Sequence, residues 1–351
     1  VLRQGLARRG HEVVVLSVAL GSRTDVSRDA GGTVVRVARF GRLVGHRLGP
    51  ALPLWIRRLR PDLFHFHSPS PVCEIAALLA RPRRPVVLTY HCDVERRGWH
   101  RLHDRLLQSL LGRAARIVVT SEEALESSSA LRLHRGRCVV QPVGVDTGRL
   151  AETPRTRAVT AALRAARPGP MVLFVGRMHA YKGLHVLVEA MRRAPGTLVL
   201  VGGGWEEDGV RAHVREAGLA DRVTFAGDVL EADLGGYYRA ADVFVLPSVS
   251  RAEFFGQVLV EAMACGLPVI STRLGTGTSS VNRDGVTGLE VPPGEPAPLA
   301  AAITRLLEAP AERARLAAHG RVHAESFSPA RMVAHTEALY AELLAGGRLS
   351  P

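Results

Sequence analysis

The feature that most constrains this chain is a regular alternation of short apolar, β-branched runs with stretches of helical periodicity. HEVVVLSV (11–18), DLFHFH (62–67), PVVLTY (85–90), ARIVVT (115–120) and RCVVQP (137–142) read as buried strands. PVCEIAALLA (71–80) and RLHDRLLQSLLGRAA (101–115) have helical spacing between them. Strands buried on both faces lose the polar alternation, so such runs imply a parallel sheet covered on both sides by helices. The pattern then restarts with PMVLFVG (170–176), TLVLVG (197–202), RVTFAG (222–227), ADVFVLP (241–247) and LPVIST (267–272). Between the two sets, TGRLAETPRTR (147–157) and ARPGP (166–170) collect proline and polar residues. The expected architecture is α/β with two doubly wound domains, residues 1–150 and 170–325, joined by a linker over 151–169. An amphipathic helix over 326–345, entered after Ser328-Pro329, closes the chain and is expected to pack back towards the first domain.

The front of the first domain departs from this plan. A doubly wound domain ordinarily begins with a central strand, whereas here a helical stretch (1–9) precedes the first strand at His11. The N-terminal domain is therefore expected to lack its first strand and the loop after it, on the order of 20 residues.

Composition narrows the function classes. A length of 351 residues fits two domains of about 150 each. No uninterrupted apolar run approaches the ~20 residues of a membrane helix, and VLRQGLARRGHE has neither the apolar core nor the cleavage site of a secretory signal. Cys73, Cys92, Cys138 and Cys265 form no Cys-x-x-Cys pair, which argues against a disulfide framework or a cysteine zinc site and for a reducing, cytoplasmic location. The charge is lopsided. Residues 1–150 hold 25 arginines against 12 acids, while residues 151–351 are balanced at 21 and 21. A basic half points to an anionic partner such as a membrane surface, at whose inner face the protein would be peripheral, or a phospholipid acceptor or nucleic acid; an Arg-rich codon bias is the competing reading.

Of 46 basic residues, 45 are arginine; the single lysine is Lys182. Where drift has replaced every other lysine, the survivor marks a place that needs a compact point charge rather than a planar fork. Its context, His179-Ala180-Tyr181-Lys182-Gly183, is not a P-loop, and no other lysine is left for one. Gly202-Gly203-Gly204 follows a strand, but Glu207 breaks the dinucleotide fingerprint. There is no Gly-x-Ser-x-Gly elbow, no His-Glu-x-x-His and no Asp-x-Asp pair. No metal site is expected, and any diphosphate must be neutralised by cationic side chains and helix ends.

Three segments converge on a diphosphate. Val175-Gly176-Arg177-Met178-His179-Ala180-Tyr181-Lys182-Gly183 follows the first strand of the second domain and opens a helix, so Arg177 and Lys182 can reach one anion. In Glu253-Phe254-Phe255-Gly256-Gln257-Val258-Leu259-Val260-Glu261, Gly256 lets a ligand approach the start of a helix, and the two carboxylates, eight apart, can accept from sugar and ribose hydroxyls. An acidic first turn that only complements a helix dipole is the plainer reading. Gly227-Asp228-Val229 ends a neighbouring strand.

With Asp242-Val243-Phe244-Val245-Leu246-Pro247-Ser248, PVGVD (142–146) and the Phe327-Ser328 tail, these segments resemble glycosyltransferase family 4, the retaining GT-B transferases, over nearly the whole chain. The resemblance implies a GT-B fold, two Rossmann-like domains facing a cleft, with a nucleotide-sugar donor on the second domain. It implies that Arg177 and Lys182 stabilise the leaving nucleoside diphosphate, that Glu253 holds the donor sugar, and that Glu261 holds the ribose. Backbone groups of Gly176, Phe254, Phe255 and Gly256 would assist, and Gly227 and Val229 would border the base. His91, in Thr89-Tyr90-His91-Cys92-Asp93, matches the family histidine that contacts the donor sugar; without the resemblance it reads as a strand-end histidine. His65 and His67 read as lining or core rather than metal ligands. The implied reaction is metal-independent transfer of a hexose, with retention, to a glycan or lipid-linked acceptor in cell-surface polysaccharide synthesis. STRLGTGTSSVNRDGVTGLEVPPG (271–294) and HFHSPSPVCEIAALLA (65–80) look like bacterial mannosyl- or rhamnosyltransferases and favour a GDP-mannose-like donor. The alternatives are a non-catalytic nucleotide-sugar-binding protein or inactive fragment, a nucleotide-sugar 2-epimerase, and a nucleic-acid binder, which would show a steep salt dependence. The paired motifs argue against nucleic acid as the partner.

Overall fold

A computed structural model of the protein describes residues 1–43, 46–93 and 100–346. The chain forms two compact units, one of Val1–Gly144 with Pro329–Pro351 and one of Val145–Ser328.

The first unit opens with α1 (Leu2–Arg8), followed by β1 (Val14–Val18), β2 (Asp25–Asp29), β3 (Gly32–Val37), a short pair β4 (Arg42–Leu43) and β5 (His46–Arg47), and α2 (Leu52–Arg58). It continues through β6 (Phe64–Ser68), α3 (Pro71–Ala80), β7 (Val86–Tyr90), α4 (His100–Arg113), β8 (Arg116–Val119), α5 (Glu122–Ser127) and β9 (Cys138–Val140). Every residue of β7 is buried, as its unbroken apolar run requires of a parallel strand covered on both faces. Strands β6-β7-β8-β9 form one parallel sheet. A second sheet has the order β1-β3-β2, with β1 parallel and β2 antiparallel to β3. Among the described residues β1 pairs only with β3 and β6 only with β7. Strands β2 and β3 lie outside the ten expected runs. The sequence DVSRD of β2 is exposed throughout, so it carries no apolar signal and survives as an edge.

The second unit begins with α6 (Pro154–Ala166), inside the stretch expected as the linker. Thr153 caps it, accepting from the Thr156 amide while Thr156 Oγ1 accepts from the Thr153 amide, and Pro154 sits at its first position. The unit continues with β10 (Met171–Val175), α7 (Leu184–Met191), β11 (Thr197–Val201), α8 (Glu207–Glu216), β12 (Val223–Gly227), α9 (Glu231–Ala240), β13 (Val243–Leu246), α10 (Gln257–Ala264), β14 (Val269–Thr272), α11 (Gly277–Val281), β15 (Gly288–Val291), α12 (Pro296–Glu308) and α13 (Pro310–Ala324). Its six parallel strands have the order β12-β11-β10-β13-β14-β15. Strands β10 and β13 are wholly buried, and Met171, Leu173, Phe174 and Phe244 are core side chains.

The last helix, α14 (Pro329–Gly346), belongs to the first unit. Gln141 Nε2 donates to Thr336 Oγ1 at 2.8 Å, and Glu337 accepts from Arg9 at 2.5 Å and meets His11 at 2.8 Å. Among the described residues no helix is long and apolar enough to cross a membrane.

Candidate functional site

The strand order of the second unit locates its site. From β10 the chain runs outward to β11 and β12, then crosses to β13, β14 and β15 on the other side. The loops after β10 and β13 therefore part at the topological switch point, where open parallel sheets leave a crevice at their carboxyl edge. Those two loops are the ones that carry Arg177, Lys182 and Glu253. Helices α7 and α10 start there, each from a left-handed glycine, Gly183 at φ 66° and Gly256 at φ 75°. Their unpaired amides add positive potential to the crevice.

The structure brings Lys182 and Glu253 together. Lys182 Nζ donates to Glu253 Oε2 at 2.5 Å, and Ser248 Oγ donates to the same oxygen at 2.8 Å. Both charged side chains are about nine-tenths buried. The pair joins the two loops, and a backbone bond from Val249 N to Tyr181 O at 2.8 Å reinforces the junction. Thr276 Oγ1 donates to the Glu253 carbonyl at 2.7 Å, and Gly277 N to the Phe254 carbonyl at 2.8 Å, so the loop after β14 holds the glutamate segment from behind. Phe254 and Phe255 bury their side chains, with the Phe255 ring edge-on to Phe327 at 5.6 Å. Anchored in this way, they offer a ligand only backbone groups. Arg177, in the same β10 loop, is exposed. Gly176 lies beside the lysine, its absent Cβ 3.9 Å from Lys182 Cε.

Glu261 is also buried, one turn inside α10. Its Oε1 accepts from Arg149 at 2.5 Å and its Oε2 from the Tyr238 hydroxyl at 2.8 Å. Arg149 reaches Glu231 as well, at 3.2 Å. Burial, followed by the Glu261 charge, pushes the Tyr238 hydroxyl well above its ordinary range, so it stays a donor. Each carboxylate oxygen keeps a further lone pair free to accept. Arg149, Tyr238, Ser248 and Thr276 were not legible as site residues. They lie far from their partners along the chain or in loops without periodicity, and only their hydrogen bonds to the two glutamates reveal them.

The loops after β11 and β12 adjoin the same edge. Gly202 N donates to Gly227 O at 2.8 Å, and Gly227 turns at φ 66°. Val229 is half-buried beside exposed Asp228.

His91 belongs to the first unit, at the end of β7. His91 N donates to Ser68 O at 2.7 Å, and its Nε2 is 2.8 Å from His67 Nδ1. Three imidazoles stack: His65 on His67 at 4.9 Å and His67 on His91 at 5.1 Å. Beneath them His65 is held by Tyr340 at 2.5 Å and Thr89 at 2.7 Å. Burial first, then the neighbouring imidazoles, hold His65 down to about 3. Burial and His91 hold His67 down to about 4, and burial lowers His91. The unfolded chain takes up protons near 6.5 and the folded stack does not, so its contribution is complete above that pH and is lost as pH falls towards 4. We expect the melting temperature to drop between pH 7.5 and 5.0, and His65→Gln to drop less over that interval. An unchanged pH dependence in the variant would show that the stack does not set the acid limb.

Among the described residues no group of three His, Cys, Asp or Glu is placed to hold a metal ion.

Comparison with known proteins places these features in a family. Residues 1–149 match the model described as Glycosyltransferase Family 4, and residues 159–323 the one described as Glycosyl transferases group 1. The chain is similar to the O-antigen chain mannosyltransferase C of Escherichia coli, at 33% identity over 70% of this chain. It is similar to the D-rhamnosyltransferase WbpZ of Pseudomonas aeruginosa, at 34% identity over 71% of this chain. The match spans 65% of the length of each of these two relatives. Among solved structures, the sucrose-phosphate synthase of Thermosynechococcus elongatus superposes with a TM-score of 0.84 at 27% identity, over 98% of this chain and 92% of that one.

Proposed function

Because this chain belongs to the GT-B glycosyltransferases related to family 4, we propose that it transfers a hexose from a nucleoside-diphosphate sugar to a glycan or lipid-linked acceptor, with retention, in the making of a cell-surface polysaccharide. The observation that carries this reading is the buried Lys182–Glu253 pair at the switch point between β10 and β13, with Arg177 on the same loop. In this reading the cation meets a diphosphate, and the carboxylate beside it meets the hydroxyls of the attached sugar. The names of these two bacterial relatives, a mannosyltransferase and a rhamnosyltransferase, favour a GDP-mannose-like donor.

In this reading the bond from the anomeric carbon to the phosphate oxygen lengthens before the acceptor oxygen bonds to the same face. Negative charge gathers on the departing diphosphate, and Lys182, Arg177 and the amides opening α7 and α10 stabilise it. The diphosphate takes the acceptor hydroxyl proton. Glu253, already accepting from Lys182 and Ser248, positions the sugar and forms no covalent bond to it. Glu261, held by Arg149 and Tyr238, is the ribose acceptor. For the first unit the proposal assigns His91 to a sugar hydroxyl, with His67 fixing its ring. The basic residues of that unit are assigned to an anionic acceptor or membrane surface at the cytoplasmic face.

The test is thermal stabilisation by UDP, GDP and ADP, bare and as sugar conjugates, followed by release of nucleoside diphosphate with candidate acceptors. A ligand at a hundred times its dissociation constant adds about 2.7 kcal/mol. Stabilisation by one base and turnover of its sugar conjugate are expected. Stabilisation without turnover for any acceptor would reduce the protein to a binder, and no stabilisation by any nucleotide would overturn the donor site.

A further inference from the structure

Trp205 is 91% exposed, the most exposed large apolar side chain among the described residues. Single exposed apolar residues are ordinary on a protein surface. This one differs in how its backbone is held. Met178 N donates to Gly203 O at 2.8 Å, and Glu206 N donates back to Met178 O at 3.1 Å. Between them Gly204 has no room for a side chain, its Cβ position being 2.4 Å from Met178 O. The loop that presents Trp205 is thus clamped to the loop that carries Arg177 and Lys182. The clamp continues through the rings. The Trp205 indole meets His179 edge-on at 5.7 Å, His179 lies nearly parallel to Tyr181 at 6.0 Å, and Lys182 Nζ stands 5.3 Å from the Tyr181 ring centre.

Charge orients a ligand along this edge. The cations Arg177 and Lys182 belong to the β10 loop. Glu206 and Asp228 lie on the β11 and β12 loops, Glu207 and Asp208 open α8, where Arg211 offsets Glu207 at 2.7 Å, and the Cβ position of Gly203 lies 4.0 Å from Asp228 Oδ1. A diphosphate is drawn to the first group and repelled by the second. What remains of a nucleotide, its uncharged flat base, then falls on the side where Trp205 stands.

We infer that Trp205 is a stacking platform for the base of the nucleoside diphosphate, held in place by the Met178 clamp and the His179 edge. The inference rests on the proposed donor site and deepens it. Stacking tolerates any base, so the tryptophan contributes affinity, and the choice of base falls to hydrogen bonds elsewhere.

The test uses the full chain with GDP, UDP and inorganic pyrophosphate as probes, read by intrinsic fluorescence and by calorimetry. In the wild type, GDP and UDP are expected to quench tryptophan emission. Trp205→Ala should abolish most of the quench and weaken both nucleotides by about 5- to 150-fold, the range for alanine replacement of a base-stacking aromatic. Trp205→Phe should recover most of the affinity. Pyrophosphate, which has no base, should bind both variants as it binds the wild type. If Trp205→Ala binds nucleotides within twofold of the wild type, the platform is wrong while the donor site stands. If pyrophosphate weakens as much as GDP, the residue only supports the loop, and the inference fails. If the wild type binds no nucleotide, both the platform and the proposed donor site fall.

Discussion

Replacing Lys182 by methionine is expected to lower turnover of the nucleotide sugar by at least about two orders of magnitude, the loss usual when a group stabilising transition-state charge is removed. It should also destabilise the second unit. Lys182 Nζ is 2.5 Å from Glu253 Oε2, and both groups are buried, so the variant strands a carboxylate with Ser248 as its remaining donor. Breaking a buried pair on one side costs about 3–5 kcal/mol, largely the penalty of the charge left behind. For a unit of this size that is a drop in melting temperature on the order of 10 °C. The double variant Lys182→Met with Glu253→Gln separates the two effects. Removing both charges should restore most of the lost stability and none of the activity. A single variant that keeps turnover within tenfold of the wild type would refute the assignment of Lys182 to the leaving group.

A second large effect needs no charge at all. Gly183 precedes α7 at φ 66°, and a Cβ there would sit 2.1 Å from Pro247 O and 2.8 Å from Val249 Cγ1. Gly218 has nearly the same backbone, φ 69°, with nothing within 4 Å of its Cβ position. Alanine at either place meets the left-handed penalty of about 1–2 kcal/mol. Only at Gly183 does it also push against the backbone of the loop that ends in Ser248 and Glu253. Overpacking of that kind costs about a further 1–3 kcal/mol. Gly183→Ala should therefore lose both stability and nucleotide-induced stabilisation, while Gly218→Ala loses only the smaller stability increment and keeps its nucleotide response. Equal melting curves and equal nucleotide shifts in the two variants would mean that the β10 and β13 loops are not mechanically coupled, contrary to the Val249–Tyr181 and Lys182–Glu253 contacts.

How far the sequence reaches depends on whether a signal is local. All ten expected strands form, and β7, β10, β13 and β14 are buried throughout as a parallel strand covered on both faces must be, whereas β1, β6, β9 and β12 are only partly buried. Strand β2 escaped for the opposite reason: an exposed edge strand such as DVSRD has no face to bury. Strand β15, Gly288–Val291, has only Leu289 and Val291 as large apolar side chains, split by Glu290, so it offers no unbroken apolar run. Helix α6 hid within a Pro- and Arg-rich stretch, where proline reads as a breaker unless it is seen at the first turn of a capped helix.

The candidate site divides along the same line. The solitary Lys182, the two glutamates eight apart and the glycines at the starts of α7 and α10 could be read directly. Each is a property of residue type and short spacing, and each has a chemical reason to be there. That Lys182 and Glu253 form one buried pair could not be read, since 71 residues separate them and only the adjacency of β10 and β13 brings their loops together. The same holds for Arg149 and Glu261, 112 residues apart, and for the clamp that sets Trp205 beside His179. The sequence by itself thus determined the fold class, the family likeness and the residue types on which the proposed chemistry rests, because patterns of burial and charge are written locally. Only the tertiary structure decided which of those residues neutralise one another, because the order of strands in a sheet, and hence which loops meet, is set by packing across the whole domain.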